Sequence, residues 1–159
     1  MIRVLSVTSE CAPLIKTGGL ADVAGALPGA LAPLGVDMRT LLPGYPKVMA
    51  AAQKVHKVLD LDDLFGGPAR VLSAKAGGLD LLILDAEHLF KRNGAPYNDP
   101  DGNDWGDNPE RFAALSWVAA EITAGALSKW QPDVLHCPDW QAGVAPVYLR
   151  ENHADVARP

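Results

Sequence analysis

Nothing among these 159 residues points to a membrane or to nucleic acid. No apolar stretch approaches the ~20 residues that a membrane-spanning helix needs. Met1 and Ile2 lead straight into a strand-like run, with neither a charged n-region nor a cleavage site, so no signal peptide is visible. There are only two cysteines, Cys11 and Cys137, far apart and without metal-like pairing. Two reduced thiols in a cytoplasmic protein are expected, rather than a disulfide framework or a zinc site. No Lys/Arg cluster occurs and the net charge is -5, which argues against a sequence-independent nucleic-acid binder. An acidic chain can still hold an anion with one local basic group and backbone N–H donors. There is no internal repeat, no low-complexity tract, and neither a G-x-G-x-x-G fingerprint nor a G-x-x-x-x-G-K-[ST] loop.

What is present is an ordinary globular composition, 48% apolar and 21% charged, long enough for one α/β domain but not for two. Ile2 to Thr8 is short and rich in β-branched residues, as a buried parallel strand should be. After a loop over Ser9 to Gly19, the residues Leu20, Val23, Ala24, Leu27, Leu31 and Leu34 fall at the spacing of one helix face. Pro28 should kink or shorten that helix and Gly35 should end it. Val36 to Leu42 reads as the next strand, closed by Pro43-Gly44-Tyr45-Pro46. Lys54 to Leu59, Ala69 to Ala74 and Leu79 to Leu84 are three further strand candidates. Asn93 to Asn108 is rich in Asn, Asp, Gly and Pro and reads as a long functional or mobile loop. Asn108 is the expected N-cap of a helix with Pro109 at its first position and Phe112, Leu115, Ala119 and Ile122 on one face. Asp133 to His136 reads as another buried strand, and Asp139 to Arg150 as a loop entering a helix.

This alternation predicts an α/β fold, a Rossmann-like parallel sheet with right-handed crossovers. Ligands of such sheets bind outside the C-terminal strand ends, so the loops after Thr8 and His136 should face one crevice. The first of them carries Lys16-Thr17-Gly18-Gly19-Leu20-Ala21-Asp22. A glycine pair between strand and helix admits close backbone approach and supports conformations other residues avoid. The helix start then favours an anion, and Lys16 adds a point charge. Gly-Gly by itself equally suits a tight turn beside a solvated lysine. With Gly19 as N-cap, Asp22 would occupy the third helical position and complement the helix dipole.

Ser9-Glu10 followed by Pro13-Leu14, the run Lys16 to Val23, Gly25-Ala26-Leu27-Pro28 and Leu41-Leu42-Pro43-x-Tyr45-Pro46 resemble the opening of bacterial glycogen synthases and plant starch synthases. Asp107-Asn108-x-x-Arg111-Phe112 and His136-x-x-Asp139-Trp140-Gln141-Ala142-Gly143 match further segments of that family in the same order, so the similarity covers nearly the whole chain. The resemblance implies a retaining transferase of the GT-B fold, moving glucose from ADP-glucose (or UDP-glucose) to the non-reducing end of an α-1,4-glucan, with no metal and no cofactor. It implies that residues 1–159 form one incomplete N-terminal catalytic domain, that a C-terminal nucleotide-binding domain follows in the family, and that this chain alone is inactive. Lys16 and the Gly18/Gly19 backbone would face the donor diphosphate. Glu10 and Asp22 would orient Lys16 or the sugar. Asp139 would act at the active centre, and Tyr97, Trp140 and Gln141 would contact acceptor sugar. Trp105 would assist Tyr97 or anchor its loop, and His136 reads as a satisfied structural histidine. Position 138 is Pro where the family usually has His or Asn, which removes a backbone donor. A non-catalytic glucan-binding or regulatory module of the same fold is the alternative. A nicotinamide-dependent oxidoreductase fits the fold class but lacks its glycine fingerprint.

Overall fold

The computed structural model describes residues 1–157. The β-branched opening run forms strand β1 (Ile2–Val7), whose last four residues are all buried. Helix α1 (Gly19–Leu31) returns to strand β2 (Val36–Pro43), which leads through the short α2 (Pro46–Ala51) into β3 (Gln53–Leu61), β4 (Ala69–Ala76) and β5 (Leu79–Asp85). A single turn, α3 (Glu87–Phe90), and the long loop follow, then α4 (Asn108–Thr123), β6 (Val134–His136) and α5 (Ala145–Asn152).

The six strands form one sheet in the order β3-β4-β5-β2-β1-β6. β5, β2, β1 and β6 are parallel, as the strand–helix alternation predicts. The sheet as a whole is mixed, because β4 pairs antiparallel with both β3 and β5. The cause is local. Gly77 and Gly78 are the only residues between β4 and β5, and both have positive φ (56° and 81°), the geometry of a tight hairpin turn that only glycine adopts freely. β6 lies at an edge of the described sheet, with Val134 exposed and Leu135 and His136 half-buried, instead of being a fully buried strand.

From β1 the chain reaches β2 on one side through α1, whereas from β5 it reaches β6 on the other side through α4. With both crossovers right-handed, the two helices lie on opposite faces of the sheet, and the direction of winding switches beside β1. The pairing of Ser6 with His136 brings the ends of β1 and β6 side by side. The loops after Thr8 and after His136 therefore share one edge, as expected.

Helix α4 is buried around most of its circumference, Phe112, Leu115, Ala119 and Ile122 included. Its N-cap is Asp107, one residue before the expected Asn108, and the Asp107 side chain makes no capping bond. Asn108 bonds elsewhere, donating to Tyr97 O at 2.9 Å and accepting from Arg111 Nη1 at 2.7 Å. Burial pushes the thiol of Cys11 up to about 11 and that of Cys137 up to about 12, so both are protonated and unreactive at neutral pH.

α1 packs largely through the expected face, with Ala24 buried and Leu20, Leu27 and Leu31 half-buried. Val23 and Leu34 are exposed, while Ala21 and Ala24 are buried. A Cβ on Gly25 would stand 2.3 Å from the carbonyl oxygen of Ala12, and the Ala12 N–H donates to Ala21 O at 2.9 Å. The helix thus lies directly on the loop after β1, and only its small-residue side fits there. Pro28 is accommodated inside the helix, but the α-helix stops at Leu31 and tightens into a 3-10 turn over Ala32–Leu34 before Gly35 (φ 80°). The proline and the close packing together predict opposite outcomes for two glycines of one helix. Gly29→Ala, where no atom lies within 4 Å of the new Cβ, should stabilise by about 0.4–1 kcal/mol. Gly25→Ala should instead destabilise by about 1–3 kcal/mol through overpacking. Chemical denaturation of the two variants beside the parent checks the reversal of sign.

Candidate active site

The loop after β1 is shaped by a buried carboxylate. Glu10 is 3% exposed, and its Oε2 accepts both the Thr17 backbone N–H and, at 2.7 Å, the Thr17 hydroxyl. Its own backbone is tied to the Thr8 hydroxyl, which donates to Glu10 O at 2.8 Å. A carboxylate withdrawn from water requires such donors. Glu10 therefore anchors the loop and does not touch Lys16, contrary to one of its two expected roles.

Asp22 performs that role. Both its oxygens accept from Lys16 Nζ, at 2.6 and 2.7 Å. The N-cap is Gly18, so Asp22 is the fourth residue of the helix, one place later than expected. The pair is more than half exposed on each side, and such a pair is weakly bound in water. It aims the ammonium while leaving it free to meet an incoming anion.

Gly18 and Gly19 do not owe their identity to backbone strain, since neither adopts positive φ; Gly18 is extended. Nor do they avoid a clash within the chain, because a Cβ at either position would meet no atom within 4 Å. The space in front of them is open. Gly18 offers no side-chain cap, so the first N–H groups of α1 remain available beside Lys16.

Across the β1–β6 crevice stands an aromatic group. The Tyr97 hydroxyl lies 2.7 Å from Ser9 Oγ, joining the long loop to the loop after β1. Burial raises the Tyr97 phenol above its ordinary range, so it stays protonated. Its ring is 6.3 Å from that of Trp140, and Phe112 meets Trp140 edge-on at 5.3 Å. Trp140 is nevertheless 56% exposed, which leaves much of the indole uncovered. Asp139 precedes it at φ 66°, an unusual conformation for a residue with a side chain, and its Oδ1 accepts from Trp140 N at 2.7 Å. Asp139 is exposed at the same edge. Gln141, expected on the sugar side, is buried at 4%. Successive side chains of the 3-10 turn Trp140–Ala142 point about 120° apart, so Trp140 faces out while Gln141 faces in. His136 is the structural histidine expected, with Nδ1 3.2 Å from Ser6 Oγ.

The long loop is closely bonded, although its composition suggests mobility. Asn98 bridges to Asp104, and Asp99 Oδ1 accepts the N–H groups of Asp101 and Asn103, both at 2.9 Å. Trp105 anchors it, with its Nε1 donating to Ala95 O and its ring under the Arg92 guanidinium. Thr17, Ser9 and Phe112 also position the site, through the Glu10 and Tyr97 contacts and the edge of Phe112 against Trp140. Thr17 and Ser9 lie inside the family-like motifs, which is the signal for them in the sequence. No three His, Cys, Asp or Glu side chains among the described residues are grouped to hold a metal ion, and no described helix is long and apolar enough to cross a membrane.

Residues 3–158 match the family described as the starch synthase catalytic domain. A glycogen synthase of Paracoccus denitrificans (strain Pd 1222) is 61% identical over 151 residues, covering 95% of this chain and 32% of the relative. One from Rhodopseudomonas palustris (strain BisB18) is 59% identical over 149 residues, with 94% and 30% covered. The solved catalytic domain of starch synthase IV from Arabidopsis thaliana, bound to ADP and acarbose, superposes with a TM-score of 0.76 at 25% identity, covering 99% of this chain and 32% of that one. The chain spans about a third of the length of the relatives it matches. Its ordered motifs, its fold and the match over nearly its whole length place the chain in the starch synthase catalytic domain family.

Proposed function

We propose that this chain is the N-terminal part of a cytoplasmic glycogen (starch) synthase, which transfers glucose from ADP-glucose to the non-reducing end of an α-1,4-glucan with retention of configuration. The observation that carries the proposal is the open space before Gly18 and Gly19, flanked by free helix N–H groups and by the Lys16 ammonium that Asp22 aims. The ADP bound to the Arabidopsis starch synthase supports a nucleotide diphosphate as the occupant, and its acarbose supports a glucan-like acceptor.

As the bond from the glucose C1 to the diphosphate breaks, positive charge develops on the sugar and negative charge on the leaving group. Donors already fixed in place stabilise that charge without reorganising. In this reading Lys16 and the Gly18/Gly19 backbone take the diphosphate, and Asp22 positions Lys16. Glu10 is a positioning residue that holds Thr17 and so the whole loop. Asp139 accepts hydrogen bonds from sugar hydroxyls. Trp140 and Tyr97 give the acceptor a flat apolar surface, which suits the C–H faces of a pyranose ring. Residues 1–159 then act as one domain that works against a C-terminal nucleotide-binding domain.

The protein expressed from its whole coding sequence should incorporate radiolabelled glucose from ADP-glucose into glycogen. Lys16→Ala should lower that rate about 10²–10³-fold, as loss of a leaving-group donor does elsewhere. A well-folded protein inactive with both ADP-glucose and UDP-glucose would sink the proposal and favour a glucan-binding module. Trp140→Ala should raise KM for short maltooligosaccharides while leaving KM for the donor unchanged; a shift in the donor value instead would remove the indole from the acceptor surface. Glu10→Leu removes the oxygen on which both Thr17 donors depend. It should lower the unfolding free energy by about 1–3 kcal/mol, and an unchanged denaturation midpoint would deny Glu10 its anchoring role.

A further inference from the structure

A cavity of about 560 Å³ opens beside the glycine loop. It lies between Pro13–Thr17, the turn after β2 that carries Tyr45 and Lys47, and the start of the long loop. Lys16, Lys47, Arg92 and Arg111 line it, and no carboxylate does. Two of these cations are balanced by carboxylates outside the lining: Lys16 by Asp22, and Arg92 by Asp107, whose Oδ1 accepts from Nη1 at 2.7 Å. Lys47 and Arg111 have no ion-pair partner among the described residues.

Arg111 is the unusual member. It is 1% exposed, and a guanidinium cannot shed its proton to escape burial. Nε donates to Leu89 O at 2.7 Å, and Nη1 donates to Pro96 O at 2.9 Å and to Asn108 Oδ1. Phe90 and Phe112 present their rings 5.2 and 5.5 Å from its central carbon. Dipoles and π-faces thus surround the charge; Asp107 acts on it at a distance, but no carboxylate among the described residues pairs with it directly. Tyr45, on the same lining, is 4% exposed, and its hydroxyl is buried without a hydrogen-bond partner. A buried charge without a direct partner and a buried unsatisfied hydroxyl are each unfavourable. Both residues line this one cavity, and an oxyanion there would supply the direct counter-charge that Arg111 lacks. A phosphate suits the set best, since it combines more than one negative charge with several acceptor oxygens for an arginine fork and a lysine point charge.

We propose that this cavity is a second anion site that binds a phosphate group, either free or as the monoester of a small sugar, separately from the donor diphosphate. The assignment does not depend on the transferase reading. Because Thr17 and Lys16 form part of the wall, an occupant would also brace the glycine loop.

Isothermal titration calorimetry on the protein from its whole coding sequence tests this, using inorganic phosphate and ribose 5-phosphate as probes, each with and without saturating ADP. At least one probe should bind, and binding should persist when ADP fills the donor position; the tighter arm tells free phosphate from ester. Lys47→Gln, a change at an exposed side chain that should not disturb folding, should weaken the probe about tenfold, the effect of losing one charge-assisted contact, and leave ADP affinity unchanged. Absence of binding by both probes, loss of binding under ADP, or equal affinity in Lys47→Gln would overturn the assignment.

Discussion

The carboxylate of Glu10 organises the functional edge of this domain. It stands at the end of β1, almost out of contact with water, and it draws both the N–H and the hydroxyl of Thr17 back upon itself. That closure forces the chain between them into a small ring, which the Cys11–Ile15 bridge tightens further. Lys16 is then thrown outward beside Asp22, and the next two residues need no side chains because the space before them serves something other than the protein. The contact of Gly25 with Ala12 is the second fastener, since it seats α1 directly on the ring. With both in place, the loop is held before any ligand arrives, and a prearranged set of donors costs little to use.

The other side of the edge rests on Arg111. Its guanidinium gathers the carbonyls of Leu89 and Pro96 and the side chain of Asn108, which in turn holds Tyr97 by its backbone. The long loop, polar in composition and lacking regular structure, is given its shape by this buried cation and by the Arg92–Asp107 pair. Tyr97 then closes the circuit to Ser9 on the glycine loop. One arrangement therefore couples the aromatic surface to the loop that carries Lys16. The same arginine, without a direct carboxylate partner among the described residues, lines a cavity, so a residue that organises one site also shapes the electrostatics of its neighbour.

Much of the fold was legible in the residues. Short β-branched runs, a helix start at a glycine pair, a proline opening α4 and the stop at Gly35 are local signals, and each acts within a few residues of where it stands. The antiparallel pairing of β4 with β5 follows from the short Gly77-Gly78 connection, which leaves no room for the crossover that a parallel pair needs. The face that α1 buries was legible in part, since Ala24 is buried and Leu20, Leu27 and Leu31 are half-buried, but Val23 is exposed. Its leucines have helical spacing, but the backbone of Ala12 comes so close that only Ala21, Ala24 and Gly25 fit against it. In the candidate site, Lys16, Gly18, Gly19, Asp22, Asp139 and Trp140 lie on the two loops expected at one edge, and Tyr97 joins them through Ser9. Gln141 is buried instead, since a 3-10 turn sends neighbouring side chains to opposite environments.

The order of its motifs determined on its own that this chain is an α/β domain of the starch synthase family, because residue type and spacing along the chain carry that information directly. Partnership was a different matter. That Asp22 and not Glu10 holds Lys16, that Glu10 holds Thr17, and that Arg111 lies buried without a salt-bridge partner among the described residues were decided only by the tertiary structure. The reason is physical: a charged side chain can reach several neighbours of suitable chemistry, and the packing of strands and helices settles which one lies within hydrogen-bond distance once water has been excluded.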